Sequence, residues 1–330
     1  MKMVGSMDQG YIITVDIGAS KIRGQVFELC GNSGPIYSIE LMEKDLDNDS
    51  FLGLVKDCIY ITDRIASMPQ GRLLAISIGS PGPLDPFMGI IEETPNLRGV
   101  KDLNIVEGLM NEFGVPIFLL NDADAAGLGE YWRGAGTECS SSMIYITLSS
   151  GVGSACLVNG KLQRSLGKAP ELGHISLAVE NDFRLCDCGS WGCTEAYLGT
   201  KGLALTYAKI FGNKDTNLTL EVQHSISPQM REGIRIDDEQ WLEVQDKYAC
   251  HLAIFLRNII LAYQPETIIL GGGIIFDNNS LLQTALYKLN VMNDKMMVMK
   301  NGVSIKLAKF NNAVNLGATK YALEQLGMGL

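Results

Sequence analysis

A chain of 330 residues, 46% hydrophobic and with 36 glycines, has room for about two domains with sizeable cores and many tight turns. Its formal net charge of −10 works against nucleic acid and anionic membrane as partners, because both repel an acidic chain. No apolar run reaches membrane-spanning length and no basic-then-apolar leader opens the chain, so a reducing cytoplasm is expected, with Cys30, Cys58, Cys139, Cys156 and Cys250 scattered singly.

Residues 11–15 are apolar and β-rich and run into DIGASK at 16–21. The alternating stretch IRGQVFEL follows, and Gly31-Asn32 turns it, which reads as strand, glycine loop, strand. Residues 73–78 (LLAISI) and 115–120 (VPIFLL) read as further strands, leading into GSPGPLDP and NDADAAGLGEYWRG. In an open α/β sheet the loops after the carboxyl ends of strands carry ligand chemistry, which makes Asn121 and Asp122 candidates. A helix is expected from Asp124, so Asp122 and Asp124 are also candidates for its N-cap.

Residues 143–160 (MIYITLSSGVGSACLVNG) repeat the opening pattern. Laying Gly18 on Gly151 also pairs Ile13 with Ile146 and Thr14 with Thr147. The expectation is an α/β protein of two similar halves facing each other across a cleft. Glycine at each loop tip lets backbone N–H groups approach a phosphate with no Cβ in the way. A tight turn explains one such glycine; two in corresponding places carry more weight.

The segment 171–196, ELGHISLAVENDFRLCDCGSWGCTEA, crowds His174, Cys186, Cys188 and Cys193 together. Three thiols and an imidazole are a tetrahedral zinc set. Unrelated buried cysteines are the plainer alternative, but Cys-Asp-Cys-Gly is a poor apolar stretch. Glu171 and Glu195 bracket the set, so a closed metal site would fix groups able to bind a polar ligand. Helices are expected over 200–211 and 241–263, a buried strand over 267–270 with Gly271-Gly272-Gly273 after it, and a closing helix over 316–326. The polar stretch 212–238 takes no assignment.

Read in order, DIGASK, SPGPLD, TPNLRG, NDADAA, SSGVG, ELGH, CDCGSWGCTE and LGGG resemble the sugar kinases of the ROK (repressor–ORF–kinase) family, in the actin/hexokinase-like superfamily. The resemblance covers residues 12–326, and its specific part is E-x-G-H followed by C-x-C-G-x-x-G-C-x-E. It implies two actin/hexokinase-like (ribonuclease H-like) domains. These are 1–120, completed by a helix over about 314–330, and a larger 121–313 with the zinc-binding insert. It implies an ATP-dependent kinase acting on the 6-hydroxyl of a hexose or N-acetylhexosamine, with glucose or N-acetylmannosamine foremost.

By the same resemblance Asp122 is the general base, and Gly82, Asn96, Asn121, Glu171, His174 and Glu195 bind sugar hydroxyls. His174 would serve the metal with one ring nitrogen and the sugar with the other. Gly18, Ser20 and Lys21 form the first phosphate loop, Ser150, Gly151 and Gly153 the second, and Gly272 and Gly273 lie on the nucleotide side. Asp16 is the acid near the phosphates and Mg2+. Cofactors are ATP, Mg2+ and a structural Zn2+, and the assembly is a homodimer or homotetramer.

The chain departs from the family pattern at Ala19 and Ser20 (usually Gly-Thr), Ser150 (Thr), Asp124 (Asn) and Pro170 (Gly). Ser20 keeps the hydroxyl for phosphate, and the last two departures, Asp124 and Pro170, bear on substrate preference rather than on activity. A transcriptional repressor of the family would need a DNA-binding domain ahead of Asp16, where only 15 residues stand. A non-catalytic sugar sensor would have no need of Asp122 and the loop hydroxyls, and an actin-like ATPase would lack the cysteine cluster.

Overall fold

The computed structural model describes residues 10–29, 32–41, 46–66, 71–93, 97–164, 168–177, 182–212, 219–293 and 302–328. They divide into two compact units. The first holds the residues up to Thr137, the stretch Gly160–Ala169 and everything from Lys309 on; the second holds Glu138–Asn159 and Pro170–Ala308.

In the first unit β1 (Gly10–Ile17) and β2 (Lys21–Glu28) form the expected antiparallel hairpin, and β3 (Tyr37–Glu40) pairs with β2. On the other side of β1, β4 (Arg72–Ser80) and β5 (Ile117–Asn121) continue the sheet in parallel. Every residue of β1 is buried, Thr14 and Asp16 included, as befits a mostly apolar central strand covered on both faces. Helix α1 (Asn48–Ile65) covers one face with Phe51, Val55, Cys58, Ile59 and Thr62, a stripe at helical spacing, and Asp47 caps its start by accepting from Ser50 N–H at 2.8 Å. Helix α2 (Ile105–Phe113) ends at Gly114 in the left-handed region (φ 63°), a common helix stop.

Helix α3 (Asp122–Arg133) packs along the closing helix Ala313–Gln325 through glycine. A Cβ on Gly317 would strike the Ala125 carbonyl, and one on Gly129 the Ala313 carbonyl. Two backbones this close need glycine at the crossing. The contact places α3 in the first unit, so the unit runs to Thr137 rather than stopping at 120.

The second unit repeats the plan. Strands β6 (Ser142–Leu148) and β7 (Val152–Val158) form an antiparallel hairpin, and β8 (Thr267–Gly271) and β9 (Ser304–Leu307) extend from β6 in parallel. Short α4 (Glu195–Leu198) leads into α5 (Thr200–Ile210). The unassigned polar stretch contains a helix after all, α6 (Leu220–Arg235), despite Pro228 within it. It buries Ile226 and Met230, and Gly233 lets it lie against the Trp241 ring. Helix α7 (Glu239–Tyr263) starts on an Asp238 cap and crosses the core, where the Tyr248 hydroxyl donates to the Leu198 carbonyl at 2.6 Å. No helix among the described residues is long and apolar enough to cross a membrane.

Candidate functional site

At the carboxyl end of β5, Asn121 caps α3: its Oδ1 accepts from Ala123 N–H (2.9 Å) and Asp124 N–H (3.3 Å). The cap is therefore neither aspartate. Asp122 stays half-exposed on the first turn, its Oδ1 accepting from Ala123 N–H at 2.7 Å, beside the positive end of the helix. Asp124 is buried and ion-paired with Arg164 at 2.8 Å, so the extra acid serves the fold. Gly82 comes close: a Cβ there would lie 3.5 Å from the Asn121 amide nitrogen. The sequence thus gathers Gly82, Asn121 and Asp122 at one strand end, while Asn96 lies outside the described residues.

The first glycine loop turns tightly, with Gly18 N–H donating to the Lys21 carbonyl at 2.8 Å. Ser20 is exposed, and the Lys21 ammonium pairs with Glu40 at 2.9 Å. Asp16 sits just below the loop, buried, with Oδ2 3.0 Å from Arg23 Nη1. Burial pushes its carboxyl upward and Arg23 opposes the shift.

In the second unit the four metal-type ligands meet. The ligand atoms of His174, Cys186, Cys188 and Cys193 all lie within 4.8 Å of one another. A zinc tetrahedron with Zn–S bonds of about 2.3 Å has edges of about 3.8 Å. Here Cys188 Sγ and Cys193 Sγ are 3.7 Å apart, as are Cys186 Sγ and His174 Nδ1. The donor set and its spacing fit a closed, structural ion. Nδ1 of His174 faces the thiols, which directs Nε2 away from them. Backbone geometry builds the set: Gly189 and Gly192, both at positive φ, turn the chain between the cysteines, and Gly192 N–H donates to the Arg184 carbonyl at 2.8 Å. The Ser190 N–H steadies the Cys188 thiolate and brings that thiol down to about 7.

Glu195 joins this cluster to the second glycine loop. Its Oε1 is 3.6 Å from Cys186 Sγ, and its Oε2 accepts from Val152 N–H at 2.9 Å. A Cβ on Gly151 would collide with that same Oε2. A side chain at 151 would therefore displace a carboxylate of its own chain, a reason for glycine not visible in the loop's sequence. The Val152 carbonyl in turn abuts Gly173, which explains the glycine of E-L-G-H. Glu171 and His174 flank Gly173, exposed.

Ser149 and Ser150 lie against the start of α5: Thr200 N–H donates to the Ser149 carbonyl at 2.9 Å, and a Cβ on Gly199 would meet the Ser150 carbonyl. Gly272, at φ 94°, sits where a Cβ would strike the Leu148 carbonyl, while Gly273 faces open space. Gly153 falls within β7, opposite Thr147, and not at the loop tip. Pro170 is accommodated through its carbonyl, which accepts from Ser154 Oγ at 2.7 Å. The residues that sequence reading passed over are Val152, Arg164 and Arg184, none of which stands in a recognisable spacing.

Known proteins share this sequence pattern and this fold. A glucokinase of Halalkalibacterium halodurans is 32% identical over 288 residues, covering 84% of each chain. A xylose repressor of Caldicellulosiruptor bescii is 27% identical over 286 residues, covering 84% of this chain and 69% of the repressor. A glucokinase structure from Streptomyces griseus, in complex with glucose and AMPPNP, superposes with a TM-score of 0.78 at 23% identity, covering 96% of this chain and all of that one. The pattern of the ROK family matches residues 12–324, nearly the whole sequence, and the chain belongs to that family.

Proposed function

We propose that the chain is an ATP-dependent hexokinase that phosphorylates the 6-hydroxyl of glucose or of an N-acetylhexosamine such as N-acetylmannosamine. The observation that carries this reading is the seat of Glu195, two residues after Cys193 of the metal-type cluster and bonded to the Gly151 loop through the Val152 N–H. One unit thereby joins groups suited to sugar hydroxyls with a loop suited to phosphate. The glucokinase relative supports glucose as the sugar, and the glucokinase structure of the same fold holds glucose with AMPPNP.

In this reading Glu171, His174 Nε2 and Glu195 accept or donate to sugar hydroxyls, and Gly82, Asn96 and Asn121 complete the contacts. His174, Cys186, Cys188 and Cys193 hold a structural zinc, which supplies rigidity to that loop and no chemistry. ATP lies along Gly18, Ser20 and Lys21, along Ser150, Gly151 and Gly153, and beside Gly272 and Gly273. Asp16 would hold the Mg2+ that accompanies the nucleotide, an ion that would offset the phosphate charge. The Asp122 carboxylate takes the proton of the 6-hydroxyl as that oxygen bonds to the γ-phosphorus and the bond to the β-phosphate oxygen breaks, releasing ADP. The enzyme works in the cytoplasm as a homodimer or homotetramer.

ADP release, measured with ATP, Mg2+ and a panel of hexoses and N-acetylhexosamines, tests the reaction. Turnover of one of them is expected; binding without ADP release would instead make the chain a sugar sensor. Asp122→Asn is expected to lower kcat by about 10²-fold or more with sugar affinity retained. A folded variant with near-normal kcat would remove Asp122 from its role.

A further inference from the structure

Arg184 lies two residues before the first cysteine of the cluster and is 7% exposed. Its guanidinium is saturated with partners from three places in the chain. Nε and Nη2 donate to the two carboxylate oxygens of Asp182, at 3.2 and 2.8 Å. Nη1 donates to the Gly202 carbonyl at 2.7 Å and to the Ala196 carbonyl at 3.4 Å. Nη2 also reaches Thr206 Oγ1 at 3.1 Å. The plane lies 4.8 Å from the centre of the Tyr197 ring, whose hydroxyl donates to the Asp182 carbonyl at 2.7 Å.

Ala196 is the residue after Glu195, and Gly202 and Thr206 belong to α5, whose first N–H meets the Ser149 carbonyl. Arg184 therefore ties the cysteine loop, the turn bearing Glu195 and the helix behind the second glycine loop to one rigid fork. A lysine could neither span these acceptors nor lie flat on the ring.

We propose that Arg184, oriented by Asp182 and Tyr197, is the positioning residue that fixes the Glu195 carboxylate for sugar. It touches no substrate itself. The inference rests on the reading of Glu195 as a sugar ligand. Burial acts to raise the Asp182 carboxyl, but Arg184 and then Lys209 hold it below its ordinary range. Burial and the nearby Arg184 bring His251, edge-on to Tyr197, down to about 4, so that imidazole stays neutral beside the pair. Among the described residues, the carboxylate paired with Arg184 is Asp182, and Lys209 lies 3.7 Å from that same carboxylate.

The test compares wild type, Arg184→Lys and the milder Tyr197→Phe, with glucose and N-acetylmannosamine as the sugars. Measurements are the KM for each substrate, calorimetric sugar affinity, zinc content and melting temperature. Expected for Arg184→Lys is a rise of about 10-fold or more in sugar KM and sugar Kd, with ATP KM and kcat within about 3-fold of wild type. Tyr197→Phe is expected to shift sugar KM in the same direction by a smaller factor, with zinc content and melting temperature near wild type. A residue that merely supports the fold would lower the active fraction, and so kcat, at unchanged sugar KM. That result, or wild-type sugar affinity in folded Tyr197→Phe, overturns the proposal. Failure of the kinase reading shows separately, as wild-type protein that phosphorylates neither sugar.

Discussion

The two glycine hairpins are built alike and filled differently. The first closes across Ile17 and Ile22 with four residues between, Gly18–Lys21; the second closes across Leu148 and Val152 with three, Ser149–Gly151. When Gly18 is laid on Gly151, Asp16 falls on Ser149. The first hairpin carries its own buried acid, compensated by Arg23 on the neighbouring strand. The second carries none and instead receives a carboxylate from a distant helix, Glu195, on the Val152 N–H. A duplicated backbone has thus met the same need for an ordered loop in two ways. Only the second makes the loop depend on the metal-type cluster.

The sharpest way to separate the hairpins is to add one methyl to each. An ideal Cβ on Gly151 overlaps the Glu195 carboxylate, whereas on Gly18 its nearest neighbour is the Lys21 carbonyl at 3.4 Å, an ordinary contact. Gly151→Ala is therefore expected to lower kcat/KM by about 10²-fold and to raise sugar KM, because the displaced carboxylate is a proposed sugar ligand. Gly18→Ala should leave sugar KM within about 3-fold and show itself only in the KM for ATP. Equal sugar effects from the two variants would erase the distinction.

Much of this was legible in the sequence, for physical reasons. Strand periodicity and glycine placement gave both hairpins, and the spacing of Cys186, Cys188 and Cys193 with His174 gave the cluster. The 241–263 and 316–326 helices announced themselves by apolar spacing, and the structure has them at Glu239–Tyr263 and Ala313–Gln325. What stayed hidden depended on contacts distant in sequence. Helix α6 is largely polar and contains Pro228, so its pattern is weak until Ile226 and Met230 find their core. Asn121 outcompetes two aspartates for the cap, which side-chain preference alone does not decide. The reason for Gly151 lies 44 residues away, at Glu195, and no local rule reaches that far.

Metal removal probes the same asymmetry from the other side. If the cluster holds zinc, elemental analysis of protein purified without added metal should find one ion per chain. Gentle chelation should then weaken sugar binding by about 10-fold or more, since Glu195 and His174 lose their anchorage. ADP binding should weaken by a smaller factor than sugar binding, because of the two glycine loops proposed for the nucleotide only the second depends on the cluster. Calorimetric titrations with sugar and with ADP decide it. Equal loss of both affinities would mean general unfolding, and intact sugar affinity would detach Glu171, His174 and Glu195 from the site.

The smallest effect expected concerns the acid that only the first hairpin owns. Burial pushes the Asp16 carboxyl above its ordinary value of 3.8, and Arg23, itself partly exposed, offsets this incompletely. A carboxyl whose folded-state pKa lies above its unfolded value holds its proton more tightly in the fold. The stability it contributes is present below the unfolded pKa and is lost as pH rises through the folded one. At neutral pH the ionised Asp16 is thus a strain on the fold, retained for its proposed place beside Mg2+ and the phosphates. Asp16→Asn keeps the size and an acceptor for Arg23 and removes the charge. Its melting temperature should exceed that of wild type by about 2 °C near pH 7.5, with the gap closing as pH falls toward about 4. Activity should fall in the same variant, since the charge proposed to face the nucleotide's metal is gone. Melting scans across that pH range supply the check. A variant less stable than wild type at every pH would show that the Arg23 pair outweighs burial, and the two hairpins would then differ in composition without differing in strain.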